Sequence, residues 1–196
     1  MSPPREHRHA FIEHLESLVA AGDRAALAAL RRGLGKDPGT VAEMHRYVVP
    51  WLPAGCSRWQ EDAYYLVAAL FAWHQGSWHR EEGSPELTNL GASFARLAES
   101  VDSDSVERRF VALLNCHRDD LPTHLRHAVG LLKSREIPVD WGQLLGDIQN
   151  WTLEGRVVQR SWARAFWGGR PGEKPGTPSG VEGAPLPTVV SPDDGD

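Results

Sequence analysis

The sequence predicts an all-α protein of two packed helical bundles, followed by a disordered, acidic tail rich in proline and glycine. Helix-starting and helix-ending residues recur at short intervals, whereas the alternating pattern of β-strands is not found. Of the 196 residues, 41% are hydrophobic and 24% are charged, as is usual for a folded protein. Residues 169–196 differ sharply, because they contain six prolines, six glycines and no aromatic residue.

Four helices are predicted in the first half of the chain. Serine, threonine and aspartate cap a helix N-terminus, above all when glutamate or glutamine follows three residues later. The predicted N-caps are Asp23, Thr40 (with Glu43) and Ser57 (with Gln60), and the predicted helix ends are Gly22 and Pro50. The helix after Ser57 reaches about His74 and is apolar almost all round, which predicts that it is the central buried helix of this half.

An irregular connection over residues 76–89 and a short helix around Phe94 are predicted to complete the first bundle. Asp104 starts the next helix, Pro122 suits the first turn of another, and Asp140 caps a third. The last helix is predicted from about residue 153 to residue 167. The expected units are an N-terminal bundle over residues 1–100, a C-terminal bundle over residues 101–168 and a flexible tail over residues 169–196.

Composition excludes several classes of protein. The longest apolar run, residues 64–73, is much shorter than the roughly 18 residues that a membrane-spanning helix needs. Only two cysteines are present, Cys56 and Cys116, and the N-terminus leads into no small-residue cleavage site, so we expect a cytoplasmic protein without disulfides.

Charge is distributed unevenly between the tail and the rest of the chain. Residues 169–196 hold five of the 26 acidic and two of the 21 basic residues, so residues 1–168 carry a net charge of −2. The whole chain has a net charge of −5, which gives no global basic field. Any binding of a polyanion therefore depends on local groups of cations.

No catalytic or cofactor-binding motif is found, so the expected protein is not an enzyme and has no cofactor and no metal. One alternative is a metal-dependent hydrolase, because histidines three apart on a helix can bind one ion. Its ligands would come from Cys116, His117, Asp119, Asp120, His124 and His127. Asp119 and Asp120 are also explained by capping of the helix that starts there.

Three groups of basic residues are candidates for binding a phosphate backbone. The first is Arg24, Arg31, Arg32 and Lys36; the second is Arg108, Arg109, Arg118, Arg126 and Lys133; the third is Arg156, Arg160 and Arg164. The third group repeats every fourth residue, which predicts a stripe on the last helix opposite its buried face. The alternative is that these residues are solvated or form ion pairs within the protein. No base-reading motif accompanies them, so sequence-specific recognition is not supported.

Four segments, in this order, resemble the CasB family, whose members are the small subunit of the type I-E CRISPR surveillance complex called Cascade. They are GDRAALAALRRG at residues 22–33, ERRFVALL at residues 107–114, IPVDW at residues 137–141 with leucines at 144 and 145, and WARAFW at residues 162–167. The likeness covers roughly residues 8–168 and leaves out the tail.

The resemblance implies an all-α protein without an active site that lies as a head-to-tail pair inside the complex. Its partners would be the backbone and large subunits, the CRISPR RNA, the target and non-target DNA strands and a second copy of itself. It would stabilise the R-loop through contacts that the resemblance assigns to Arg24, Arg31, Arg32, Lys36, Arg108, Arg109 and Arg118. A helical scaffold that contacts only protein is the competing hypothesis.

Overall fold

The computed structural model of the chain describes residues 5–78 and 88–168. The predicted all-α class is confirmed, because nine α-helices and no β-strand occur within these residues. The helices are α1 (Arg5–Ala20), α2 (Arg24–Arg31), α3 (His45–Val48), α4 (Arg58–Trp73), α5 (Leu90–Ser100), α6 (Ser103–Asn115), α7 (Leu121–Ser134), α8 (Trp141–Gln149) and α9 (Val157–Trp167). The predicted flexible tail and residues 79–87 of the predicted connection lie outside the described residues.

Local capping explains where several helices begin and end. The Asp23 carboxylate accepts a hydrogen bond from the backbone N–H of Ala26 at 2.8 Å, and Asp140 accepts one from Gln143 at the same distance. Ser57 and Gln60 form the reciprocal bonds of a capping box. Gly22 has φ of +65°, the left-handed conformation that favours glycine after a helix end. These four predicted helix boundaries are confirmed.

Three of the predicted side-chain caps are not formed. The Thr40 hydroxyl donates to the carbonyl of Asp37 at 2.7 Å, so it does not cap the 3₁₀ turn Ala42–Met44. The helix predicted to start at Asp104 begins at Ser103, so Asp104 lies within its first turn. Asp120 holds the N-cap position of α7, but its side chain forms no capping bond, and His117 caps the 3₁₀ turn Arg118–Asp120 that precedes the helix. The predicted capping side chains either form a different local hydrogen bond, as Thr40 does, or lie where no capping bond is formed.

The last helix also begins later than predicted, at Val157. Gly155 has φ of +74° and Arg156 has φ of +53°, and both conformations are left-handed. Because a right-handed helix cannot continue through such residues, the 3₁₀ turn Glu154–Arg156 is separate from α9. This difference matters for the basic stripe described below.

Helix α4 is central, as predicted, and packs against α1, α2, α3, α7 and α8. A second set of contacts joins α5 to α9, α6 and α7. The α5–α9 contact is close, since a Cβ on Gly91 would lie 2.1 Å from the carbonyl oxygen of Trp162. The buried apolar side chains of both sets form one continuous cluster. The division into bundles at residue 100 stays a prediction.

Within the described ranges, no helix is long and apolar enough to cross a membrane.

Candidate nucleic-acid interface

A cleft of about 530 Å³ opens beside the N-terminal end of α4, and we call it the α4 cleft. Its walls are the loop over residues 33–39, the first turns of α4, and the chain from residue 118 into α7. Four basic side chains from these separate segments line it. They are Lys36, Arg58, Arg118 and Arg126. The structure therefore brings together cations that are up to 90 residues apart in the sequence.

The glycine-rich loop after α2 lets one of these cations approach the backbone. Gly35 has φ of +72°, and a Cβ at this position would lie 2.7 Å from Nη1 of Arg126. The guanidinium group of Arg126 therefore lies directly against the loop that carries Lys36. A side chain at residue 35 would both strain the backbone and push Arg126 away.

An aromatic side chain supports Arg118. The guanidinium carbon of Arg118 lies 5.0 Å from the centroid of the Trp59 ring, within the range of a cation–π contact. The Trp59 indole N–H donates to the carbonyl of Ile148 at 3.1 Å, and this bond fixes the ring. Asp119 lies 3.6 Å from Nε of Arg118 in an exposed ion pair. Exposed pairs of this length contribute little energy, so a phosphate can compete for the cation.

Arg58 lines the α4 cleft but was not among the residues predicted from the sequence. The signal was present in part, because the capping box at Ser57 makes Arg58 the first residue of α4. What the sequence did not indicate is that this helix start faces Arg118 and Lys36. Only the packing of α7 against α4 brings these segments together.

Three carboxylates, Asp37, Asp62 and Asp119, moderate the positive charge of the α4 cleft. Partial burial raises the pKa of Asp62, and the neighbouring Arg58 opposes that rise. Arg58 Nε lies 4.0 Å from the Asp62 carboxylate, so this pair is long and one member is highly exposed. The cleft therefore has a small positive excess and cations that are not tightly held.

Two of the predicted cations lie elsewhere and stabilise the other end of α4. The Arg31 guanidinium donates to the carbonyl of Ala72 at 2.8 Å, and the Lys133 ammonium donates to that of Trp73 at 2.7 Å. Lys133 also lies 5.3 Å from the centroid of the Trp73 ring. The last carbonyls of a helix lack partners within the helix and attract cations. Arg31 and Lys133 therefore act as a cap for α4.

The predicted three-arginine stripe on the last helix is corrected to two residues. Arg156 precedes α9 in a left-handed conformation, and its guanidinium group donates to the carbonyl of Leu114 near the end of α6. It therefore does not continue the face of Arg160 and Arg164, which are exposed on α9. The physical reason is the break at Gly155, which ends the helical register.

The remaining predicted cations are distributed over other faces. Arg32 pairs with Glu43 at 2.7 Å. Arg24 lies at the start of α2, and Arg108 and Arg109 lie on α6; all three are exposed and have no ion-pair partner among the described residues. The structure thus unites Lys36, Arg118 and Arg126 from two of the predicted groups, and separates them from Arg31, Arg32 and Lys133.

The residues considered for a metal site do not converge. In residues 5–78 and 88–168, no three His, Cys, Asp or Glu side chains are placed to hold a metal ion. Burial raises the pKa of the Cys116 thiol to about 11, which disfavours the thiolate that binds metals. His124 and His127 line a second groove, beside α7, rather than the α4 cleft. The metal-dependent hydrolase hypothesis thus finds no support in this region.

The fold and the cleft define an all-α protein with a cleft lined by cations. A family model for the CRISPR-associated protein Cse2 matches residues 26–167. The CRISPR-associated protein Cse2 of Thermus thermophilus is 39% identical over 147 residues, which cover 74% of this chain and 79% of that protein. This chain therefore belongs to the Cse2 family, and the predicted CasB membership is confirmed.

Solved structures agree with that assignment. The crystal structure of a CRISPR-associated Cse2-family protein from T. thermophilus has a TM-score of 0.70 at 36% identity, and the match covers 86% of this chain and 99% of that chain. A chain of a CRISPR RNA-guided surveillance complex has a TM-score of 0.70 at 30% identity, and the match covers 83% of this chain and 92% of that chain.

Proposed function

We propose that this chain is the non-catalytic small subunit of a Cascade-type CRISPR RNA-guided surveillance complex, and that its α4 cleft binds sugar-phosphate backbone. The observation that carries the proposal is the convergence of Lys36, Arg58, Arg118 and Arg126 from three separate segments in one cleft. The similarity to a chain of a surveillance complex supports the assignment to such an assembly.

The cations of the α4 cleft have only weak partners within the protein, which suits them to contact with phosphates. Each lysine or arginine that neutralises a phosphate releases a counterion, which gives salt-sensitive affinity without sequence preference. Arg118 is oriented by the Trp59 ring rather than by a tight ion pair, so its guanidinium N–H groups stay available. The ion pair of Arg58 with Asp62 is long, at 4.0 Å, and Arg58 is highly exposed, so a phosphate can replace this pair at little cost.

Modest contacts of this kind are sufficient for R-loop stabilisation. Formation of an RNA–DNA heteroduplex in place of a DNA duplex is a near-balanced exchange, so a few protein–backbone contacts can shift it. We propose that the cleft holds one of the strands, among CRISPR RNA, target DNA and non-target DNA, during target recognition in the cytoplasm. The subunit itself breaks no bond.

The other exposed cations are assigned supporting contacts in the same proposal. Arg160 and Arg164 on α9, Arg24 on α2, and Arg108 and Arg109 on α6 would meet strands or anionic protein surfaces of the backbone and large subunits and of a second copy. Because residues 1–168 carry a net charge of −2, binding is expected in the assembled complex rather than by the isolated chain.

Photo-crosslinking within the assembled complex tests the proposal. The photoreactive amino acid p-benzoylphenylalanine would replace Thr123, an exposed residue that lines the α4 cleft. A matched control would carry it at Thr152, which is exposed and lies outside the cleft. We expect RNA or DNA adducts from residue 123 and far fewer from residue 152. Protein adducts alone from residue 123 would reject strand binding and support the scaffold hypothesis.

A further inference from the structure

A second groove, of about 770 Å³, lies between α6 and α7, and we call it the α6–α7 groove. Its partly exposed apolar lining includes Leu34, Trp73 and Leu131, and the buried Phe94 and Leu113 also border it. Its polar lining consists of Arg109, His124, Arg126 and His127, so none of the described side chains that line it is acidic. An apolar groove with an accessible aromatic ring, that of Trp73, and a basic rim is suited to an apolar segment that also carries acidic residues.

The chain itself contains such a segment in the part outside the described residues. The run APLPTVV occupies residues 184–190, between Glu182 and the three aspartates at residues 193, 194 and 196. No basic residue follows Lys174. Proline-rich segments with apolar side chains dock in aromatic-lined grooves at low entropic cost, because their extended conformation is already favoured.

The described structure ends close to the α6–α7 groove. The ring centroid of Trp167 lies 5.6 Å from that of Phe110 on α6, and Phe110 lies 5.1 Å from Phe94, which lines the groove. The 15 residues between Gly168 and residue 184 can span roughly 50 Å when extended, far more than the path along α6 requires. The segment can therefore reach the groove of its own chain.

The matched family region offers no counterpart for this segment. The Cse2-family structure from T. thermophilus is covered over 99% of its length by only 86% of this chain, and the family model ends at residue 167. An occupant from residues 169–196 would thus be a feature of this chain in addition to the family fold.

We propose that residues 184–190 occupy the α6–α7 groove of their own chain, with Leu186, Val189 and Val190 against its apolar wall. The aspartates that follow then lie near Arg109 and Arg126. The docking of the tail does not depend on the proposed function, but its expected effect on strand binding does. Arg126 also lines the α4 cleft, so the docked tail competes with a phosphate for that cation.

The test is intramolecular photo-crosslinking in the full-length protein, with p-benzoylphenylalanine in place of Leu186. Mass spectrometry would map the adducts in an equal mixture of isotopically light and heavy protein. We expect adducts on α6 and α7 residues of the groove that join segments of one isotope. Adducts on other faces, or adducts that join light to heavy chains, would overturn the proposal; the latter would identify the occupant as another copy's tail.

Variants within the tail leave the described fold untouched and make the test quantitative. The double substitution Val189→Asp and Val190→Asp should lower the yield of groove adducts about tenfold, which corresponds to the loss of burial of one valine side chain. Val181→Asp, which lies outside the apolar run, is the matched control and should leave the yield unchanged. Equal yields from the double variant and from the control would overturn docking, whatever the strand-binding experiments give.

Discussion

The two ends of α4 both carry basic side chains, but they hold them in different ways. At the C-terminal end, Arg31 and Lys133 donate to the carbonyls of Ala72 and Trp73 at 2.8 and 2.7 Å. At the N-terminal end, Arg58 and Arg118 have long ion pairs of 4.0 and 3.6 Å, and Arg118 also lies over the Trp59 ring.

The difference follows from the backbone rather than from the basic residues themselves. The last carbonyls of a helix need donors, so cations near them become structural. At the other end, the unpaired backbone groups are N–H donors, which a cation cannot satisfy, and the Ser57 capping box supplies their acceptors. Nearby cations therefore stay available to bind a ligand. A group of arginines in a sequence therefore predicts binding only after the carbonyl ends of neighbouring helices are taken into account.

The largest expected effect is on stability, from Arg31→Met with Lys133→Met. Loss of two charge-assisted hydrogen bonds to the C-terminal end of α4 should lower the free energy of unfolding by about 2 kcal/mol. Urea denaturation measures the change. The control, Arg160→Met with Arg164→Met, removes two exposed cations of α9 and should change stability by no more than about 0.5 kcal/mol. Equal losses in both variants would contradict the structural role of the capping pair.

A smaller effect, on binding, is expected for Arg58→Ala at the N-terminal end. Removal of one phosphate contact should weaken strand retention by the assembled complex about three- to fivefold at low salt and leave stability nearly unchanged. Filter binding over a salt series measures it. Arg135→Ala, an exposed cation outside the cleft, is the matched control, and a loss of the same size there would remove the special role of Arg58.

Asp62→Asn should strengthen strand retention by the assembled complex about two- to threefold, the opposite of the effect of Arg58→Ala. Removing a negative charge from the α4 cleft strengthens phosphate binding. Burial raises the pKa of Asp62, so keeping this carboxylate ionised in the folded protein costs free energy at neutral pH. The asparagine variant should therefore be slightly more stable than the original protein at neutral pH, and this advantage should disappear at low pH, where Asp62 is protonated. Weaker strand retention in this variant would argue against an anionic ligand in the cleft.

The smallest effect concerns pH and the C-terminal end of α4. His74 follows α4 and donates its Nε2–H to the carbonyl of Ile137 at 2.7 Å. Burial lowers the pKa of His74 below 6.5, so its stabilising contribution is complete above about pH 6.5 and is lost as the pH falls toward the folded-state pKa.

Comparison of the original protein with His74→Gln measures this contribution. The urea midpoint of the original protein should fall slightly more between about pH 7.5 and about pH 5.5 than that of the variant. Parallel pH profiles for the two proteins would contradict the assignment.

Sequence reasoning succeeded where a local signal determines the structure. The caps at Asp23, Ser57 and Asp140 follow from residues within four positions, and the apolar run of α4 predicts its central place. It failed at Arg156, because helical spacing alone does not reveal the left-handed pair that begins at Gly155.

The α4 cleft was predictable only in part. Lys36, Arg118 and Arg126 were candidates, but their meeting depends on the packing of α7 against α4, which no local pattern encodes. Arg31 looked equivalent to them in sequence, and only its contact with a carbonyl 41 residues away distinguishes it.

The salt dependence of target-DNA retention by the assembled complex tests the central claim most directly. Arg118→Ala with Arg126→Ala should make the slope of log affinity against log salt shallower by about 2, one counterion for each lost phosphate contact. Arg31→Met with Lys133→Met removes the same charge and should leave that slope unchanged under conditions where the protein is folded. Identical slopes for the two double variants would contradict the claim that the α4 cleft holds the strand.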